Sequence, residues 1–199
     1  MKRITLLLLI VTSLSFSQKN DYYNDSGAYH FKSITDVEGK SKKEIYDAAK
    51  KWIAVNFNDL NRVLKLDSED NMLIKGNSEL KDTGGTRVDF TLDLAFKDGK
   101  LKTEFYDVTI RPKVFIPEYT LAKPVSFTKQ DYINLMKKEF DKSGLTEKQS
   151  KKAIDQMGID ELFSDMIKSM EFYASSVESR VNELSTSLGT YVNNSEDGW

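Results

Sequence analysis

Residues 87–110, RVDFTLDLAFKDGKLKTEFYDVTI, constrain the fold more than any other stretch. Val88, Phe90, Leu92, Leu94 and Phe96 alternate with Asp89, Thr91, Asp93 and Ala95. A period of two puts one set on an apolar face and the other on a wet face, which a strand satisfies and a helix does not. Asp98-Gly99 is a two-residue hairpin signal, read here as a type I′ turn with positive φ at both central positions. That turn pairs Lys97 with Lys100, Phe96 with Leu101, Leu94 with Thr103 and Leu92 with Phe105. The apolar parity then shifts to Tyr106, Val108 and Ile110. One extra residue at Phe105-Tyr106 restores Phe90 opposite Val108 and Val88 opposite Ile110, so a β-bulge is expected there.

A hairpin with one apolar face needs a cover, and the preceding chain offers one. Ser41 and Glu44 form an S-x-x-E capping box. In it each side chain satisfies a backbone N–H that the first helical turn leaves free. Ile45, Ala48, Ala49, Trp52 and Ile53 follow at helical spacing and make one apolar stripe. Trp52 and Phe57 are expected to lean on the sheet as core. A strand is expected over 29–37 before this helix. Two more are expected at 63–66 and 72–80, joined by the acidic loop DSEDN at 67–71. Gly76 interrupts the second of these and suggests a bulge or an edge position.

All three prolines, Pro112, Pro117 and Pro124, fall in the next stretch. Proline has no N–H to give a ladder, so 112–127 reads as an extended connector. Its apolar residues Val114, Phe115, Ile116, Tyr119 and Leu121 argue that it packs along the body. Beyond it the pattern is helical. Thr128 and Asp131 cap a helix to about Lys142, with Tyr132, Leu135, Met136 and Phe140 on one face and Ser143-Gly144 as its stop. A short helix follows over 146–157. A long one over 159–188 carries Phe163, Met170, Val177 and Leu184 seven apart. Met166, Ile167, Tyr173, Ala174, Val181 and Leu188 widen that stripe, which packs on the chain's own sheet or on another helix. Residues 189–199 read as a polar tail.

The first 17 residues follow the grammar of a secretory signal peptide. Lys2 and Arg3 precede an apolar run over 4–11, and Ser15 and Ser17 stand at −3 and −1 of a cleavage site before Gln18. The run is far shorter than the ~20 residues a membrane span needs, so no transmembrane anchor is expected. Residues 18–28 read as a flexible lead-in. Cleavage takes Lys2 and Arg3 from the 29 basic residues, leaving 27 against 31 acidic ones, a net charge of −4. An acidic exported chain is poorly suited to nucleic acid. The expected location is therefore periplasmic or extracellular. With no cysteine at all, nothing but the core holds the fold together.

Little of the sequence points to catalysis. His30 is the single histidine, and it falls within a strand. A general base needs a partner arranged around it. No G-x-S-x-G, H-E-x-x-H or phosphate loop occurs, and Gly84-Gly85 lacks the strand-then-helix setting of one. Asp67, Glu69, Asp70 and Asn71 offer oxygen ligands but lack the glycine and distal glutamate of a calcium loop. Asp89 and Asp93 share the wet strand face with Thr91, where acids are ordinarily just solvated. No catalytic, metal or cofactor residue is assigned.

The phrases GKSKKEIYDAAKKWIAVNF, NRVLKLDSEDNMLIKG and FTLDLAFKDGKLKTEFYDVTI resemble those of a bacterial domain-of-unknown-function family, family 4468, with a TBP-like fold. The resemblance covers about residues 29–111. It rests on Tyr46 and Trp52 of the first helix, Ile74 and Gly76 of the I-x-G strand, and the turn Asp98, Gly99, Lys100. It implies an α+β fold of order β-α-β-β-β-β-α, an antiparallel sheet with a packed helix, here followed by a C-terminal helical region. The family has no assigned activity, so the resemblance implies no site residues.

Two functions remain open. One is a non-enzymatic envelope module that binds a protein or a surface, with the second half of the chain as its working part. The other is a carrier of a small apolar molecule. For the carrier, a groove between a bent sheet and the long helix would be lined by Phe90, Leu92, Phe105, Met166, Met170 and Tyr173. The same six side chains would otherwise fill the core at close-packed density.

Overall fold

The structure, a computed structural model, describes residues 22–57, 59–81, 83–113, 118–123 and 126–195. The signal-peptide segment, Val114, Phe115, Ile116, Pro117, Pro124 and Trp199 lie outside the described residues.

Among the described residues, six strands and five helices follow in the order β1 (His30–Asp36), α1 (Lys42–Asn56), α2 (Leu60–Val63), β2 (Leu64–Asp67), β3 (Asn71–Glu79), β4 (Arg87–Lys97), β5 (Lys100–Arg111), β6 (Tyr119–Thr120), α3 (Lys129–Lys142), α4 (Glu147–Gln156) and α5 (Ile159–Asn194). The sheet runs β1-β5-β4-β3-β2, every pairing antiparallel, with β6 joined to the far end of β5. This is an α+β arrangement with the expected β-α-β-β-β-β core order. To it are added the one-turn helix α2, the short strand β6 and the C-terminal helices.

Local sequence sets the helix starts. Ser41 accepts from the Glu44 N–H while the Glu44 carboxylate accepts from the Ser41 N–H, the reciprocal box that opens α1. Thr128 with Asp131 and Thr146 with Gln149 open α3 and α4 in the same way. The five apolar residues of the α1 stripe are all buried.

The β4–β5 hairpin has the expected register from Lys97 opposite Lys100 to Leu92 opposite Phe105. Its turn differs. Gly99 has a φ of 69°, but Asp98 is not among the residues with positive φ, so the turn is not type I′. The bulge exists two residues beyond its expected place. Thr91 faces Tyr106 and Asp89 faces Thr109, which leaves Asp107 and Val108 opposite Phe90 alone. Asp107 carries a φ of 52°. Aspartate tolerates this left-handed region better than the aromatic pair before it, which places the kink there. Tyr106 consequently points to the outer face of the sheet, not to the core.

Helices α1 and α5 share the inner face. Trp52, Phe57, Phe90, Phe105, Phe31 and Tyr22 follow one another across it, with successive ring centroids 6.2, 6.4, 5.4, 6.1 and 5.6 Å apart. Gly76 lies beneath this row. A Cβ there would stand 2.8 Å from both Phe57 and Phe90, so the strand is bare where two rings cross it. The connector behaves as expected where it is described: Tyr119 and Leu121 are buried and β6 pairs with β5.

The long helix packs on the chain's own body. Met166, Met170, Tyr173, Ala174, Val177, Val181, Leu184 and Leu188 are buried in the same cluster as the sheet and α1. It also runs further than expected, to Asn194, so the segment read as a polar tail is helical over 189–194. Gly189 and Val192 continue the buried stripe. Gly189 looks like a stop signal, yet it serves close approach, since a Cβ there would lie 3.2 Å from Thr35. Among the described residues no helix is long and apolar enough to cross a membrane.

Candidate functional site

The six residues expected to line an apolar groove belong to the core. Phe90, Leu92, Phe105, Met166, Met170 and Tyr173 are each at most 8% exposed. Phe90 and Phe105 touch ring to ring, and the Tyr173 hydroxyl lies 3.4 Å from Thr86 Oγ1. Apolar side chains opposed across a sheet and a helix have closed on one another, the outcome that dispersion and hydration both favour.

The chemistry lies on the other side of the sheet, which no helix covers among the described residues. Strand β1 docks against β5 and sets His30 opposite Tyr106, their rings edge to face at 6.0 Å. The hairpin sets Asp93 opposite Glu104. The bulge turns Asp107 out beside them. These five residues, with Asn24 of the segment before β1, surround a hollow of about 370 Å³.

The hollow's carboxylates are unequal. Glu104 is held by Lys102 at 2.9 Å and by Lys32 at 3.7 Å. Asp107 accepts from Lys75 and from the Thr91 hydroxyl, both at 3.1 Å, and Lys75 also reaches Thr91 Oγ1 at 2.5 Å. Asp93 makes no ion pair among the described residues. Burial, then the Glu104 carboxylate, push its carboxyl above the usual range, with Lys102 opposing them. Burial, followed by Asp93, Asp107 and Glu104, raises the Tyr106 phenol in the same way. The imidazole of His30 makes no hydrogen bond to Asp93 or Glu104 among the described residues, so no base-and-orienter pair is assembled.

Past Asp107 the charge changes sign. A second hollow of about 490 Å³ is flanked by Arg62, Lys65 and Lys75, with Asn77 and Asp89. Asp89 is taken up by Arg111 at 2.6 Å. The outer face thus has an acidic aromatic end and a basic end, parted by the Lys75–Asp107–Thr91 contacts.

The acidic loop at 67–71 is engaged with α1. Asp67 accepts from Lys50 at 2.5 Å and from the Tyr46 hydroxyl at 2.7 Å, and Asp70 pairs with Lys42 at 2.9 Å. The Lys50 hydrogen bond leads the causes that hold Asp67 below the usual carboxylate range. No group of three or more His, Asp or Glu among the described residues is placed to hold a metal.

Sequence alternation had already put Asp89, Thr91 and Asp93 on a wet face and His30 in a strand. It gave no sign that β1 lies beside β5, and that long-range pairing is what joins His30 to Tyr106. The misplaced bulge hid Tyr106 as well. A parity count allowing αL geometry only at Asp107 would have found it.

Sheet order, the helical layer on one face and the open opposite face together define an α+β protein of the TBP-like class. Residues 31–111 match the family model described as a domain of unknown function (DUF4468) with TBP-like fold. A TBP-like protein from Parabacteroides distasonis ATCC 8503 has a similar structure. Its TM-score is 0.59 at 12% identity, over 88% of this chain and 99% of that one. The likeness extends well past residue 111 and shows the fold. A DUF4468 family protein from Bacteroides ovatus ATCC 8483 aligns at a TM-score of 0.44 and 12% identity, over 88% of this chain and 92% of that one. No curated protein matches.

Proposed function

We propose that the protein is an exported, non-enzymatic module that binds a protein partner in the cell envelope through the open face of its sheet. One observation carries this reading: α1 and α5 cover a single face, and the other presents a hollow beside an aromatic ring and a partly buried carboxylate that makes no ion pair among the described residues. The leader pattern at 1–17 supports export. A lone histidine without an orienting partner supports a non-enzymatic role. The long helix, which the sequence offered as the working surface, has its apolar stripe buried, and this shifts the reading to the sheet.

The test is site-specific photo-crosslinking in the native host from Tyr106 and Lys75 on the outer face, and from the exposed Phe172 on α5 as the control. A protein captured from the two sheet positions, absent from Phe172 and lost with Asp93→Lys, is the expected result. Equal capture from all three positions would reject the sheet face. Capture of extracted lipid or small molecules alone would favour a carrier.

A further inference from the structure

Strand β1 ends the sheet, and its free edge has an unusual hydrogen-bond account. Tyr29 N–H donates to Leu121 O at 3.2 Å and Val37 N–H to Gly99 O at 2.8 Å, so the odd-numbered residues aim their main-chain groups into the sheet. By the alternation of an antiparallel strand, those of His30, Lys32, Ile34 and Asp36 aim outward. The two ends of this row are occupied. His30 N–H donates to Tyr22 O at 2.9 Å, and Asp36 O accepts from the Asn193 amide at 3.5 Å. Between them, the outward N–H and C=O groups of Lys32 and Ile34 meet no partner among the described residues.

We propose that this edge and the cleft beside it accept an extended segment of a partner protein, which joins the sheet as an added strand. The proposal rests on the interaction-module reading but uses a different surface. Two N–H and two C=O groups alternating along one strand are matched by another extended backbone and by little else. The edge already takes such a segment from its own chain, because Tyr23 bridges Tyr29 in antiparallel fashion at its start. Natural edges are blunted by bulges, prolines or charged side chains; β1 keeps unbroken register and has no proline, and its charged residues are Lys32 and Asp36. Lys32 reaches toward Glu104 on the outer face, its Nζ 3.7 Å from the carboxylate.

The cleft gives the segment its chemistry. An open hollow of about 500 Å³ runs along the seam of β1 and α5, bordered by Ser33, Thr35, Asn182, Ser185, Gly189 and Thr190, with the Ser33 and Ser185 hydroxyls 3.0 Å apart across the seam. Gly189 lets α5 approach Thr35 closely at this seam. Side chains of an added strand that turn inward meet hydroxyls and amides, and those that turn outward lie beside Ile34, which is 61% exposed. The fitting segment therefore alternates small polar residues with β-branched apolar ones, about five residues long at roughly 3.4 Å each.

The test follows amide hydrogen exchange by NMR on residues 18–199, with the blocked peptide acetyl-Val-Thr-Val-Thr-Val-amide at millimolar concentration as probe. Alone, Lys32 and Ile34 should exchange fast while Phe31 and Ser33 are protected. The peptide should slow Lys32 and Ile34 about tenfold. A peptide with proline at its centre should not. Ile34→Pro should abolish the slowing at Lys32 without changing Tm, because an outward edge position tolerates proline. Unchanged exchange on adding peptide overturns the proposal. So does protection in residues 18–199 that opens only when 18–21 are removed, since the edge would then serve the chain itself. Loss of the peptide response with sheet-face crosslinking intact defeats this proposal alone; the converse defeats the sheet-face reading alone.

Discussion

The indole N–H of Trp52 donates to Ser187 Oγ at 3.1 Å and ties the first long helix to the last. The bond marks the seam where α5, which follows every strand in sequence, closes over the same sheet face as α1. It accounts for the burial of the main apolar stripe of α5 against the sheet, which leaves that stripe unavailable to a groove. The helix expected to wall a cavity is part of the core.

Packing outweighs the bond at that seam. Trp52 is 1% exposed while Ser187 lies at the surface, so water can replace the hydroxyl but nothing replaces the ring. Ser187→Ala is expected to cost about 1 kcal/mol. Trp52→Ala is expected to cost about 3–5 kcal/mol. Urea unfolding of both variants checks this, and equal losses would mean the hydrogen bond dominates.

Gly76 is set by its neighbours and not by its own backbone, since its φ is not positive. Gly76→Ala would press a methyl group within 2.8 Å of Phe57 and Phe90. Overpacking of this kind costs about 1–3 kcal/mol. Phe90→Leu in the same chain should return part of that loss, a coupling read from a double-mutant cycle by thermal unfolding. Simple additivity would show that the strand moves away freely.

Most local structure was legible because it is written in adjacent residues. The capping boxes at Ser41 and Thr128, the Lys97–Lys100 turn and the α1 stripe depend on spacings of two to four. Apart from the turn type at Asp98 and the exact place of the bulge, which are local, what failed depended on partners far along the chain. Gly189 reads as a helix end until Thr35 is seen against it. Tyr106 reads as core until His30 is placed opposite, and the candidate hollow requires both that pairing and the bulge at Asp107. Phe90 and Met170 were correctly seen as apolar and facing inward. Periodicity alone does not distinguish a wall from a filling.

Asp107 tests the bulge. Its φ of 52° suits Asp, Asn or Gly, while a β-branched residue pays heavily there. Asp107→Val is expected to lose about 1–3 kcal/mol. Asp107→Asn should stay within about 1 kcal/mol of the wild type, since the Lys75 pair it weakens is solvent-exposed. Thermal unfolding of the two variants, with the Thr91 and Tyr106 amide shifts as reporters of register, decides the matter. A Val variant as stable as Asn would place the extra residue elsewhere.

Asp93 gives the fold a pH dependence with a definite sign. Burial, then Glu104, raise its carboxyl above the usual range, so the folded chain favours the protonated form. The resulting stability is fully present below the unfolded carboxylate pKa of about 3.9 and is lost as pH rises through the folded value. Asp93→Asn removes that loss. The Tm advantage of the variant over the wild type should therefore be small near pH 3.5 and should widen toward neutrality, with the chain as a whole free to move in either direction. Unfolding curves of the two proteins in parallel across this range provide the comparison. An advantage that shrinks with rising pH would mean that Lys102, and not Glu104 or burial, governs the carboxylate.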